Sequence, residues 1–328
     1  MSPTARVYGG VDLGGTKIQT AVVGARGKVL GEAREPTPTT GGPLAVAEAI
    51  TLAMRQATLA ADIDPGALTA IGVGSPGEVD EKAGTVAQAR NVSGWDGAFP
   101  LGPALAEAFG TRVVLGNDVS VATRAEFELG AGKAYKSIIG VFWGTGVGGG
   151  LVLDGREWSG RGAAGEIGHM VVRIGGRRCG CGRRGCLEAY AGRASMEAKA
   201  RRLVKQGEHT ALFEIMEKRG RTRLTSGVWE RALQDGDKMA GRLIDQAVEA
   251  LGAGIASANN LLDVEAIVIG GGLGTKLGDP FVERIREAMM PHLFADHRPP
   301  EVLLASLGDL GGAIGATLLA VDKAPAHA

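Results

Sequence analysis

The sequence predicts an α/β protein built from two related halves, and three observations carry that prediction. A strand, a glycine turn and a second strand occur at "RVYGGVDLGGTKIQTAVVGARGK" (6–28) and again at "KSIIGVFWGTGVGGGLVLDGREW" (136–158), each with a Gly-Thr pair in the turn. Each unit is followed by alternating helical and strand-like segments, the pattern of layered α/β folds. The glycines, 54 in 328 residues, gather in short runs rather than repeating with a period. Such runs mark backbone that something approaches closely.

The elements follow in order. Short apolar and alternating runs over the first 35 residues, separated by glycine turns, read as an antiparallel meander. "PTPTTGGP" (36–43) is a loop, and "LAVAEAITLAMRQATLA" has apolar residues at 44, 46, 50, 52 and 54 among strong helix formers. "LTAIGVGSPG" is a buried strand ending in a loop, and "LGPALAEAFG" is a short helix stopped by Gly110. "TRVVLGND" is a strand, and "VSVATRAEFELG" is the helix after it. Past the second strand–turn–strand unit, 193–262 is mostly helical, with Met239, Leu243, Ala247, Leu251 and Ile255 on one face. "VEAIVIGGGLG" is a buried strand running into glycines. A helix at 280–294, the strand "EVLLASL" and a helix from about 309 to 322 complete the chain. The predicted domains are 1–119 and 120–308, with the last helix packing back on the first.

Bulk properties narrow the function. The composition is 45% apolar and 22% charged, with 36 basic and 36 acidic residues balancing to a formal net charge of +0. That balance lacks the electrostatic footprint of a nucleic-acid or anionic-membrane partner. The start has no signal-peptide pattern, and no apolar run reaches membrane-spanning length. All three cysteines fall in one window rather than in a disulfide framework. The expectation is a soluble protein of a reducing cytoplasm.

Five constellations carry chemistry. In "DLGGTK", Gly14 and Gly15 leave backbone amides bare, and those amides with Thr16 and Lys17 suit phosphate oxygens, while Asp12 suits a magnesium ion held through water. Taken alone the motif is equally a tight hairpin turn. "GTGVGGG" matches G-x-G-x-x-G through Gly144, Gly146 and Gly149. A strand and not a helix follows, so it is read as a second phosphate hairpin with Thr145 and Gly146 as donors. "IVIGGGLG" offers bare backbone, including Gly271 and Gly272, against which a base or ribose could lie; a crowded strand-to-helix turn explains it as well. "GND" ends a strand, where ligands of α/β sheets gather. Asp118 there could take a proton from a hydroxyl that Asn117 orients, or either residue could cap the next helix.

The fifth constellation joins "GEIGH" (165–169) to "CGCGRRGC" (179–186) and to Glu188. Three thiolates are one ligand short of a tetrahedral zinc site, and of the five histidines His169 is nearest in sequence. A closed set of His169, Cys179, Cys181 and Cys186 makes the metal structural. The clamp brings Glu166 and Glu188 towards one place and leaves the other nitrogen of His169 free to donate, which suits a neutral ligand rich in hydroxyls, such as a sugar. The alternatives are three free thiols in a loop and a Cys179–Cys181 disulfide, which so short a ring would strain. Asn91 in "NVSGW" and the "SPG" turn at Ser75 to Gly77 could supply the facing wall.

Together these motifs resemble the ROK family, a sugar-kinase and sugar-regulator branch of the actin/hexokinase-like ATPase superfamily, most closely its bacterial glucokinases. The ordered set "DLGGTK", "SPG", "NVSGW", "GND", "GTGVGGG", "GEIGHM", "CGCGRRGCLE" and "IVIGGGL" spans nearly the whole chain. The resemblance implies two ribonuclease-H-like domains about a hinged cleft holding sugar and ATP. It implies Asp118 as the base on the 6-hydroxyl of glucose, and Gly77, Asn91, Asn117, Glu166, His169 and Glu188 on the sugar. It also implies magnesium, zinc on the His/Cys set, and a homodimer or homotetramer. Val119 and Trp143 depart from the residues common in the family; this bears on the choice of sugar and not on the reaction. Kinases for N-acetylmannosamine, N-acetylglucosamine, fructose and mannose share the motif set, and some relatives accept polyphosphate. A regulator would need a DNA-binding helix-turn-helix, for which nine residues before Gly10 leave no room. An actin-like ATPase without a sugar would have no use for the carboxylates at the zinc anchor.

Overall fold

The computed structural model of the chain describes residues 6–24, 27–89, 92, 94, 95 and 97–322. It divides into two compact units, Met1–Gly130 with Ser306–Ala328, and Ala131–Ala305.

In unit 1 the meander is β1 (Tyr8–Leu13), β2 (Lys17–Val23) and β3 (Val29–Pro36), paired antiparallel. Helix α1 (Gly42–Ala60) buries Val46, Ile50, Ala53, Met54 and Ala57, the spacing of one helical face. Strand β4 (Ala70–Ser75) follows, then a small hairpin of β5 (Glu78–Asp80) and β6 (Thr85–Ala87), α2 (Leu101–Phe109), β7 (Arg112–Asn117) and α3 (Asp118–Leu129). Strands β4 and β7 add parallel to β1, giving the order β3-β2-β1-β4-β7. The register sets Asp12, Gly74 and Gly116 side by side, so the carboxyl ends of three parallel strands share one edge.

Unit 2 repeats the plan. Strands β8 (Ile138–Trp143), β9 (Val147–Leu153) and β10 (Arg156–Glu157) form the meander. Helices α4 (Glu188–Ala191), α5 (Arg193–Lys205), α6 (Leu212–Lys218), α7 (Ser226–Gln234) and α8 (Lys238–Leu262) lead to β11 (Ala266–Gly270). After α9 (Gly271–Leu277) and α10 (Asp279–Met289) comes β12 (Glu301–Leu304), and the order is β10-β9-β8-β11-β12. Met239, Leu243, Ala247, Leu251 and Ile255 of α8 are all buried in one core with the sheet residues Ile139, Val141, Ile267 and Ile269. Two five-stranded sheets of one topology make each unit ribonuclease-H-like, as in actin/hexokinase-like ATPases.

The last helix, α11 (Gly311–Asp322), belongs to unit 1. It packs so closely on the sheet that a Cβ on Gly72 would lie 1.7 Å from Ala316 O. Several boundaries differ from the sequence expectation. Unit 1 runs to Gly130 rather than 119, because α3 packs against α11 and β4. The helix expected at 280–294 ends at Met289, and a single turn at 290–292 contains Pro291, whose missing N–H cannot continue a helical ladder. Helix α9 and the β5–β6 hairpin were not expected as separate elements.

Candidate functional site

In unit 1 the first glycine hairpin connects β1 to β2. Gly14 N donates to Lys17 O at 2.9 Å, the Thr37 hydroxyl donates to Gly14 O at 2.6 Å, and Thr37 N donates to Thr16 O at 3.3 Å. The carbonyls are thus consumed, while the amides of Gly15 and Thr16 have no partner among the described residues. That is the polarity an anion needs. Lys17 Nζ is paired with Asp309 Oδ2 at 3.0 Å, an exposed carboxylate that no motif singled out. Asp12 sits beneath the start of α11, where a Cβ on Gly312 would come 2.6 Å from its Cγ. Burial pushes the Asp12 carboxyl up to about 6, with Lys17 opposing and Asp309 adding to the rise. A half-buried carboxylate whose charge is so poorly compensated fits a cation-binding role.

The "GND" motif separates its two side chains. Asn117 is the N-cap of α3: its Oδ1 accepts from Val119 N and Ser120 N, both at 3.1 Å. Of the two capping candidates the sequence offered, Asn117 takes the role, so its oxygen is used and its amide nitrogen remains for a ligand. Asp118 occupies the first turn, with Oδ1 accepting from Val119 N at 2.9 Å, and it is half-buried. Gly77 follows β4 with φ +92, and a Cβ there would meet Ala87 O at 2.5 Å. Asn91 lies outside the described residues.

In unit 2 the "GEIGH" segment lies directly on β9. A Cβ on Gly168 would come within 1.9 Å of Val147 O, so no larger residue fits there. His169 N donates to Glu166 O at 3.0 Å, closing a single turn that carries both residues; Glu166 is exposed and His169 half-buried. The ligand atoms of His169, Cys179, Cys181 and Cys186 all lie within 4.8 Å of one another. Cys181 Sγ and Cys186 Sγ are 3.8 Å apart, and His169 Nδ1 is 3.8 Å from Cys179 Sγ. Sulfurs about 2.3 Å from a tetrahedral zinc are separated by about 3.8 Å, and a nitrogen–sulfur edge by about 3.5 Å. The set therefore fits a structural zinc, with His169 ligating through Nδ1 and Nε2 left over. Burial pushes the Cys179 thiol up to about 12, so bound zinc would have to displace its proton.

Glu188 links this cluster to the second glycine hairpin. Its Oε1 is 3.7 Å from Cys179 Sγ, and its Oε2 accepts from Val147 N at 3.1 Å. A Cβ on Gly146 would lie 2.2 Å from that Oε2, so Gly146 makes room for Glu188 as well as baring its own amide. As in the first hairpin the carbonyls are used: Gly144 O and Thr145 O accept from Arg193 N and Ala194 N, and Gly146 O from Gly144 N. The amides of Thr145 and Gly146 have no partner among the described residues. Thr145 Oγ1 accepts from Arg193 Nη2 at 2.8 Å, a contact the sequence did not predict. Gly271, with φ +80, lies against Trp143, and a Cβ on Gly144 would be 3.7 Å from Gly272 N. The two glycine segments of unit 2 are thus neighbours. Arg193 and Asp309 escaped the sequence reading because neither stands in a glycine, cysteine or acidic motif. No helix among the described residues is long and apolar enough to cross a membrane.

Comparison with known proteins agrees in extent. The ROK family model matches residues 8–323. The chain is 32% identical over 320 residues to a glucokinase of Streptomyces coelicolor, covering 96% of this chain and 98% of that one. It is 30% identical to an N-acetyl-D-glucosamine kinase of Haemophilus influenzae, covering 97% of this chain and 100% of the relative. Among solved structures, a family glucokinase from Streptomyces griseus in complex with glucose and AMPPNP matches with a TM-score of 0.81 and 31% identity, over 97% of this chain and 100% of that one.

Proposed function

The chain belongs to the ROK family, and on that premise we propose that it is a sugar kinase that transfers the γ-phosphoryl group of ATP to the 6-hydroxyl of glucose. The observation that carries this reading is the clamp in unit 2. A closed His/Cys₃ set holds His169 and Glu188 on one frame, and Glu188 bonds to the strand that follows the phosphate hairpin. A metal with four protein ligands has no open position and does no chemistry of its own. Held by His169, Cys179, Cys181 and Cys186, it would fix the placement of an imidazole N–H and a carboxylate that can bond sugar hydroxyls.

The proposed roles are those the family resemblance implies for these residues. In unit 1 the amides of Gly15 and Thr16 would receive phosphate oxygens, with Lys17 adding charge once drawn from Asp309; in unit 2 the amides of Thr145 and Gly146 would do the same. Gly271 and Gly272 offer bare backbone to the base or ribose. Asp12 would hold magnesium through water, and the ion when bound would neutralise phosphate charge. Glu166, His169 and Glu188 bond the hydroxyls, with Gly77, Asn91 and the Asn117 amide completing the recognition. Asp118 accepts the proton of the 6-hydroxyl as its oxygen attacks the γ-phosphorus in line and the bond to ADP breaks.

An N-acetylhexosamine is the second reading, favoured by the full-length similarity to an N-acetyl-D-glucosamine kinase. ADP release measured over glucose, mannose, fructose, N-acetylglucosamine and N-acetylmannosamine separates the two. Glucose should give the highest kcat/KM. A preference for either N-acetyl sugar would overturn the glucose assignment, and ATP turnover independent of any sugar would overturn the kinase reading.

A further inference from the structure

Arg193 belongs to no motif, yet it ties together the two glycine segments of unit 2. It opens α5, and its backbone N–H donates to Gly144 O at 3.1 Å. Its side chain then reaches both ways: Nη2 donates to Thr145 Oγ1 at 2.8 Å and Nη1 donates to Ser226 Oγ at 2.9 Å. A Cβ on Gly272 would lie 3.5 Å from that same Ser226 Oγ. One guanidinium therefore spans from the phosphate hairpin to the glycines assigned to the base or ribose.

Its charge is unanswered. Both bonded partners are neutral hydroxyls, and among the described residues Arg193 forms no ion pair within 4.0 Å. Glu197 is the acidic neighbour, but its carboxylate is already bonded by Arg201 Nη2 at 2.6 Å and by Leu224 N at 2.9 Å. Burial pulls the Arg193 guanidinium below the usual arginine range; Glu197 opposes this and Arg223 adds to it. Thr145, Arg193, Glu197, Arg201 and Arg223 line one cavity of about 170 Å³. A partly desolvated cation among further cations, beside the bare amides of Thr145 and Gly146, is stabilised by an arriving anion. Because Thr145 Oγ1 accepts from Arg193, the threonine's own O–H is directed to another acceptor.

We propose that Arg193 is a positioning residue for the nucleotide's phosphate chain. It locks the Thr145 hairpin to Ser226 and lends its charge to phosphates held on the Thr145 and Gly146 amides. The proposal rests on the kinase reading and extends it to a residue that reading does not use.

The test is calorimetric binding of ATP, ADP and adenosine to the full chain and to Arg193→Gln and Arg193→Lys. Glutamine can still bond the hydroxyls but carries no charge. Arg193→Gln should lose about 10- to 100-fold in ATP and ADP affinity, the worth of a charge-assisted bond, while adenosine affinity and sugar KM stay within about twofold. Arg193→Lys should recover part of the ATP loss. Equal losses for adenosine and ATP would reduce Arg193 to a structural staple and overturn the proposal, as would unchanged ATP affinity. If the glutamine variant unfolds, Arg193→Lys carries the same three-ligand comparison: an ATP loss exceeding the adenosine loss supports the proposal, and equal or absent losses overturn it. A wild-type chain that binds ATP but phosphorylates no sugar would sink the kinase reading while leaving this comparison intact.

Discussion

Replacing Asp12 with asparagine should make the nucleotide-free protein more stable and the enzyme inactive. The carboxyl is raised from 3.8 to about 6 by burial. That rise corresponds to about 3 kcal/mol of stability forgone at neutral pH, at about 1.4 kcal/mol per tenfold change in proton affinity. The sign follows from proton counting. Between pH 3.8 and about 6 the folded state holds the Asp12 proton more tightly than the unfolded chain. Stability from this group is therefore greatest below that window, declines as pH rises through it, and is flat above. Asp12→Asn removes the titration. The difference between variant and wild type should be near zero at pH 4 and grow to about 2–3 kcal/mol at pH 7, a Tm gain on the order of 5–10 °C for a unit of this size. Thermal and denaturant unfolding in chelator across pH 4–8 measures it, and added magnesium should narrow the gap by stabilising wild type alone. A variant destabilised equally at both ends of the range would refute the burial argument. Full kcat in that variant would refute the cation role.

Two further substitutions probe the clamp. Cys181→Ser should lose bound zinc, weaken folding by about 3 kcal/mol or more, and raise sugar KM while ATP affinity holds; unchanged metal content, Tm and KM would remove the zinc from the account. Gly146→Ala retains the amide assigned to phosphate but drives a Cβ to 2.2 Å from Glu188 Oε2. Its sugar KM should rise about tenfold with nucleotide affinity little changed, because the lost bond is the one from Val147 N to a charged carboxylate. A nucleotide defect with normal sugar KM would reverse that assignment.

The parts legible in the sequence were those written in local chemistry. The repeated strand–turn–strand unit showed because its glycines sit between apolar strands, and the two observed sheets share one order. The His/Cys cluster showed because three cysteines and the nearest histidine are close in sequence, and folding brings the atoms that could hold a metal within 4.8 Å of one another. What stayed hidden depends on tertiary contact. Helix α9 begins "GGLG", a poor helix former; it forms where Gly271 packs on Trp143. The division of labour in "GND" needed the backbone: only the hydrogen bonds assign the cap to Asn117. Arg193 gains meaning from Thr145 and Ser226, residues 48 and 33 positions away. The double duty of Gly146 likewise depends on Glu188, which lies beyond the turn itself.

The central claim is that Asp118 takes the proton from the sugar hydroxyl during phosphoryl transfer. Single-turnover kinetics and glucose binding of Asp118→Asn test it most directly. The account predicts glucose affinity within a few-fold of wild type and a chemical step slowed by about 10²–10⁴, the usual worth of a general base. Near-normal turnover, or a loss confined to glucose binding, would contradict it.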